Sequence, residues 1–259
     1  MAGIKERKRT TEARREDLAA QLEGTRTGSG WTGLAAFASW GMVLSFATFL
    51  IVEGFIPPLV AIGVVFVVGL LLLGTTVKAG FIVLLVGFLA AAALTGPFLF
   101  YGLLNIQAPF EFVPTLMMDL SIIAGIIATI AALRKKEPGS SVAARVLGIT
   151  GIAILLAGAT ASALARVALE EGQLQPGDVA MLTRNFEFLP EEPAAEAGKV
   201  TVYFTNSDRA THSFTIDELG VDLFRPGGTS GRVTFNAQPG RYPFHCEPHP
   251  DMKGVLVVK

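Results

Sequence analysis

Five apolar stretches occupy the middle of the chain, at about 32–52, 55–75, 79–101, 112–133 and 143–165. Each reaches the roughly 20 residues that a helix needs to cross a bilayer. The charged residues collect at the two ends. Residues 1–30 form a polar tail in which Lys5, Arg7, Lys8, Arg9, Arg14 and Arg15 outweigh the acids. Residues 169–178 read as a linker, with Pro176-Gly177-Asp178 at its end. Beyond it the period changes to two. Val200, Val202 and Phe204 alternate with Thr201, Tyr203 and Thr205; His212, Phe214 and Ile216 share a face, as do Val233 and Phe235, and Val255 and Val257. Turn signals separate these runs at Asn206-Ser207-Asp208, Pro226-Gly227-Gly228 and Pro239-Gly240. The pattern predicts a membrane domain over 31–168 with about five transmembrane helices, then an antiparallel β-sandwich over 179–259.

Within the membrane domain, Pro57-Pro58 suits the first turn of the second helix, where a missing N–H costs little. Small residues recur, as in Ala90 to Ala93 and Gly148, Gly151 and Gly158, and allow helices to approach closely. The fifth helix is flanked tightly by Arg145 and Arg166, so the pattern fits four spans as well as five. The loops with Lys78 and with Arg134, Lys135, Lys136 and Arg145 are basic, while those near Glu53 and from Gly102 to Val113 hold no Lys or Arg. The positive-inside rule then puts the N-terminus in the cytoplasm of a multi-pass cell-membrane protein. Five crossings put the C-terminal domain outside. The first apolar run is longer than the core of a cleaved signal peptide, and Glu16-Asp17 directly after Arg14-Arg15 argues against a twin-arginine signal.

Composition sharpens this picture. The chain has 259 residues, 51% of them hydrophobic and 17% charged, with mean hydropathy +0.52, too apolar for an ordinary soluble domain. A net charge of −1 gives no support to a nucleic-acid partner. The single cysteine, Cys246, excludes an intramolecular disulfide. The three histidines, His212, His245 and His249, all lie in the β region, so bis-histidine haem ligation inside the membrane is excluded.

That scarcity makes one stretch conspicuous: Tyr242-Pro243-Phe244-His245-Cys246-Glu247-Pro248-His249-Pro250-Asp251-Met252. Cys-x2-His-x2-Met offers a thiol, an imidazole and a thioether, and His212 offers a second imidazole from another predicted strand. Two His, one Cys and a weak axial Met are a blue-copper donor set, in which soft sulfur suits Cu(I) and imidazole accepts Cu(II). Taken singly each residue has a plainer reading. Cys246 would be an inert buried thiol, His249 an exposed loop residue, and His212 and Met252 core filling; together, metal binding outweighs these.

The run resembles the C-terminal ligand loop of the cupredoxins, and its short spacing is similar to the amicyanin type. The resemblance spans roughly residues 178–259, about a third of the chain. It implies a Greek-key β-sandwich holding one type 1 copper on His212, Cys246, His249 and Met252. It also implies that His249 presents its ring edge to solvent and that electrons pass there. In many members an Asn after the first histidine ties the two ligand loops together. Here Ser213 stands in that place, with Asn206 a candidate to share the role.

Period-two alternation puts His245 on the face opposite Cys246, toward solvent or a partner. After His212 and His249 are used, too few imidazoles remain for a catalytic copper, and one Cys is too few for a dinuclear thiolate site. Asp119 beside Met117 and Met118 is an intramembrane carboxylate, to be weighed as a copper relay against a carboxylate near the interface with packing methionines. The expected function is therefore membrane-anchored single-electron transfer on the outer face, not catalysis in itself. Expected partners are redox proteins or membrane electron-transport complexes, and the lipid bilayer. Extracytoplasmic copper capture or delivery is the alternative.

The topology is checked with reporter fusions. A reporter after Lys259 is expected to be active only outside the cytoplasm, and one at Lys135-Lys136 only inside; the reverse pattern would invert the orientation.

Overall fold

The structure is a computed structural model that describes residues 29–134 and 140–259; the basic tail over 1–28 and the Lys135-Lys136 loop lie outside the described residues. Among the described residues five helices come first: α1 (Ser29–Val52), α2 (Pro57–Leu73), α3 (Val77–Leu104), α4 (Pro109–Leu133) and α5 (Ser140–Val167). Among the described residues, four are long and apolar enough to cross a membrane; α2, at 17 residues, is the short one. Helices suit these stretches because they satisfy every backbone N–H and C=O within the segment. Pro57 and Pro109 each occupy a first turn. Hydroxyls inside the helices donate one turn back, Ser39 to Ala35 O at 2.8 Å and Thr129 to Gly125 O at 2.7 Å, which satisfies them in an apolar setting; buried Ser45 of α1 is an exception, its Oγ without a partner among the described residues.

The chain forms two compact units. One holds the described residues of Met1–Phe46, Pro57–Leu99 and Leu116–Leu156; the other holds Ala47–Ile56, Phe100–Thr115 and Ala157–Lys259. In the first unit, Phe46 of α1 meets Phe66 of α2, whose ring stands at 63° to Phe88 of α3, 4.8 Å between centroids. A Cβ on Gly125 of α4 would run into the Phe88 ring, and one on Gly69 into Leu84. These two glycines, with Gly41 against Ser121, mark the close helix approaches. Gly148 and Gly151, prominent in the sequence, meet no neighbour closer than 3.5 Å. Met118 is buried, while Met117 and Asp119 are half-buried.

The second unit contains nine strands: β1 (Val179–Arg184), β2 (Glu187–Leu189), β3 (Ala194–Ala195), β4 (Gly198–Asn206), β5 (His212–Ile216), β6 (Val221–Arg225), β7 (Ser230–Ala237), β8 (Gly240–His245) and β9 (Lys253–Val258). They form two sheets, β2-β1-β4-β7 and β3-β9-β8-β5-β6. The sheets are mixed rather than antiparallel throughout: β1 runs parallel to β4 and β3 parallel to β9. Alternation reveals which face a residue occupies and says nothing of strand direction, so the sequence pattern missed this.

Between the sheets lie Met181, Phe188, Val202, Phe204, Phe214, Phe244 and Leu256, all nearly fully buried. Burying a Phe or Leu side chain contributes about 1.5–3 kcal/mol, so this core dominates the domain's cohesion. On β9 the core face is Leu256 and Val258, not Val255 and Val257; pairing Tyr242 with Leu256 fixes that register. The linker is held down by Asp178, which accepts two hydrogen bonds from the Arg232 guanidinium of β7 at 2.9 and 2.7 Å.

Strand β9 also depends on a bare backbone. A Cβ on Gly254 would lie against the Phe244 ring and 2.6 Å from the carbonyl oxygen of Glu191. Gly254→Ala is expected to lower β-domain stability by about 1–3 kcal/mol through overpacking, read as an earlier thermal unfolding transition; an unchanged transition would show that the strand shifts at no cost.

Candidate metal centre

Strand β8 alternates inward Tyr242 and Phe244 with outward Arg241 and Pro243, and the next inward position is Cys246. Its Sγ is fully buried among the core residues at the end of the sheet. The following loop closes on itself. The Cys246 N–H donates to Met252 O at 3.1 Å, His249 N–H to Cys246 O at 3.1 Å, and Met252 N–H to His249 O at 2.9 Å. With Pro248 and Pro250 limiting φ on either side of His249, the loop has little freedom left.

The structure brings His212, Cys246 and His249 together. Each imidazole turns Nδ1 toward the thiol, at 3.5 Å from Sγ, and the two Nδ1 atoms are 3.1 Å apart. The centre of that triangle lies about 2 Å from each corner, the length of a metal–imidazole bond. The donor set thus fits one small metal ion, and these three residues form a metal-ligand group by proximity. Met252, in the loop that carries His249, is buried in the hydrophobic core cluster that also holds Cys246.

Burial alone would push the Cys246 thiol up. Hydrogen bonds with the His212 and His249 rings and from the Ser213 N–H outweigh burial and bring it down from 9.0 to about 6. Burial would likewise push His249 down, but its bonds to Cys246 and to Glu53, with their charges, raise it from 6.5 to about 9. Both shifts favour thiolate and imidazolium near neutral pH, so a metal that takes the His249 Nδ1 displaces a proton.

The tie between the two loops is made by Ser213. Its N–H donates to Cys246 Sγ at 3.3 Å, and its Oγ accepts the Glu247 N–H at 2.8 Å. Asn206 serves a different junction: its Nδ2 donates to the carbonyls of Ala210 and Arg225, both at 2.8 Å. This explains why β5 is buried on both faces despite Ser213 and Thr215. Those hydroxyls bond each other at 2.8 Å, and Thr215 donates to Asp222 at 3.0 Å.

Three further residues shape the pocket, and the sequence reading missed them. Asp208 receives the N–H groups of Asn185 and Phe186, at 2.6 and 3.0 Å, and faces His212 Nε2 at 2.9 Å. It thereby aims the ring that presents Nδ1 to the thiol. Phe186 sets its edge against both imidazoles, 5.2 Å from His212 and 4.9 Å from His249. Glu53, just past α1, lies 2.9 Å from His249 Nε2. The outer ring edge of His249 is thus taken by a carboxylate, where solvent was expected. Asp208 stands four residues before His212, a spacing open to inspection. Nothing in the sequence links Glu53 to a residue 196 positions away.

His245 points away from Cys246, as alternation requires. Its two ring nitrogens face different carboxylates, Asp217 at 3.8 Å and Glu247 at 3.4 Å. Asp119 belongs to no group of three or more His, Cys, Asp or Glu side chains that could hold a metal among the described residues.

The cupredoxin-like domain family matches residues 149–258, a match that begins within α5. No curated protein matches the chain significantly. Among solved structures, amicyanin from Paracoccus versutus is 24% identical, with 34% of this chain and 86% of that one covered and a TM-score of 0.29. A reduced tyrosine-for-tryptophan variant of amicyanin is 20% identical, with 34% and 87% covered and a TM-score of 0.30. The C-terminal β domain is accordingly cupredoxin-like, preceded by apolar helices that fit a membrane anchor.

The Ser213 tie yields a direct check. Ser213→Ala removes the acceptor of the Glu247 N–H, and a hydrogen bond of this kind contributes about 0.5–1.5 kcal/mol. The β domain of the full chain is expected to unfold earlier by that amount in a thermal melt; a melt matching the wild type would show that the tie is dispensable.

Proposed function

We propose that the chain is a membrane-anchored blue-copper protein that passes single electrons between redox partners at the outer face of the membrane. One copper is held by His212 Nδ1, Cys246 Sγ and His249 Nδ1, with Met252 as the weak axial ligand. The observation that carries this reading is the buried triangle of two imidazole nitrogens and one sulfur, with sides of 3.5, 3.5 and 3.1 Å. Copper supplies a one-electron couple there, and the protein's part is to keep the donors still. Asp208 orients His212, the Ser213 bond ties the two loops, and the Pro248-His249-Pro250 loop resists rearrangement. A donor set that moves little between oxidation states lowers the cost of gaining and losing an electron.

The outer placement rests on the loop charges, and a further contact supports it. The Lys- and Arg-free segments near Glu53 and Glu111 are those that pack with the β domain in one unit. The helices then restrict the domain to two dimensions and raise its effective concentration near membrane partners. Partners of this kind are redox proteins or electron-transport complexes, and the chain has no catalytic role by itself. Copper capture and delivery, the other reading, calls for an open site that releases its ion; the closed loop and the paired ring nitrogens favour retention.

The test uses the full chain in detergent. With Cu(II), an intense thiolate-to-copper band is expected in the visible spectrum, abolished in Cys246→Ser. After reduction, Cu(I) is expected to remain bound against a competing chelator and to give a reversible voltammetric wave. Colour surviving in Cys246→Ser would sink the ligand assignment, and rapid Cu(I) loss without a wave would turn the reading to copper delivery.

A further inference from the structure

His249 lies on the loop after β8, yet its outward nitrogen is held by a residue at the opposite end of the chain. Glu53 follows the last turn of α1, and its Oε2 is 2.9 Å from His249 Nε2. Both side chains are only 20% exposed, so the contact is largely shielded from water. A metal on Nδ1 would leave the ring's proton on Nε2, where the Glu53 carboxylate is placed to receive it. A second acid from the same side repeats the arrangement. Glu111, in the first turn of α4 and buried, accepts the N–H of Thr211, the residue directly before His212. Glu53 just past α1 and Glu111 at the start of α4 thus hold both histidine-bearing loops, one through a side chain and one through backbone.

We infer that Glu53 is a positioning residue for the metal centre: it fixes the His249 ring from the helix side, supplies a negative charge behind it, and closes the ring edge to molecules in solution. This rests on the copper reading above. The chemistry is that of a carboxylate behind a ligating imidazole, which orients the ring and makes its nitrogen more basic. A negative charge there stabilises Cu(II) more than Cu(I) and lowers the reduction potential. The Asp208–His212 pair has the same form but lies inside the β domain; the His249 pair joins a proposed ligand ring to a segment between the helices.

The experiment compares the copper-loaded full chain with Glu53→Ala, Glu53→Gln and, as a control, Glu192→Gln, whose acid sits exposed on Arg241. Losing such a partner costs about 10–100-fold in metal affinity. A tenfold larger loss for Cu(II) than for Cu(I) raises the one-electron potential by about 59 mV, the shift expected for Glu53→Ala. Glu53→Gln keeps an acceptor oxygen without the charge, so its potential rises while the ring edge stays covered. Oxidation of the Cu(I) form by tris(phenanthroline)cobalt(III) separates the two. Losing an anion weakens attraction of this cation, so faster oxidation in Glu53→Ala but not in Glu53→Gln reports an opened edge. Glu192→Gln is expected to match the wild type in both readouts. A blue wild-type chain with Glu53→Ala and Glu53→Gln both indistinguishable from Glu192→Gln overturns this inference alone. A wild-type chain that never turns blue overturns the copper reading and this inference with it.

Discussion

The structure depends on keeping three electron-rich donor atoms within 3.5 Å of one another in a largely buried pocket. Without a shared positive charge such a group repels itself, so each donor has to be held from behind. Most of the local features serve that purpose. Ser213 gives one hydrogen bond to the sulfur and takes another from the next loop. Asp208 holds one imidazole and Glu53 the other, both at 2.9 Å. The loop from Cys246 to Met252 spends three of its own N–H groups on itself. With the thiol lowered to about 6 and His249 raised to about 9, a proton held on the imidazole beside the thiolate offsets part of that repulsion near neutral pH.

Much of this was readable in advance, for physical reasons. Cys246, His249 and Met252 are spaced by a single loop, so local sequence sets their geometry, and His212 was found because only three histidines exist. The helices were legible because a bilayer sets a length that composition reveals. The alternation of β4 and β8 gave their inward faces correctly.

The rest was hidden because it depends on pairing between distant segments. The parallel pairs β1–β4 and β3–β9 arise from crossovers that leave no trace in a period of two. On β9 both faces carry valines or leucine, so hydrophobicity could not say that Leu256 and Val258 face the core. Gly41, Gly69 and Gly125 look no different in sequence from Gly148 and Gly151; only the neighbours Ser121, Leu84 and Phe88 distinguish them. Ser213 was legible as a substitution for an asparagine tie, but its hydroxyl geometry was not. Glu53 was read only as a charge in a loop.

The turn between β1 and β2 carries a consequence of its own. Asn185 and Phe186 both have positive φ, 55° and 62°, a conformation that costs L residues about 1–2 kcal/mol each and suits a bulky Phe least. What holds the turn there is Asp208, which takes both of its N–H groups and also faces the His212 ring. One carboxylate is therefore the catch for a bent hairpin and the sight line for an imidazole. Removing it would let the hairpin relax, and Phe186 would swing away from both rings it touches. A loss at a single surface-turn acid would thus reach the ligand pocket as a coordinated movement of backbone, aromatic wall and imidazole, rather than as one missing hydrogen bond.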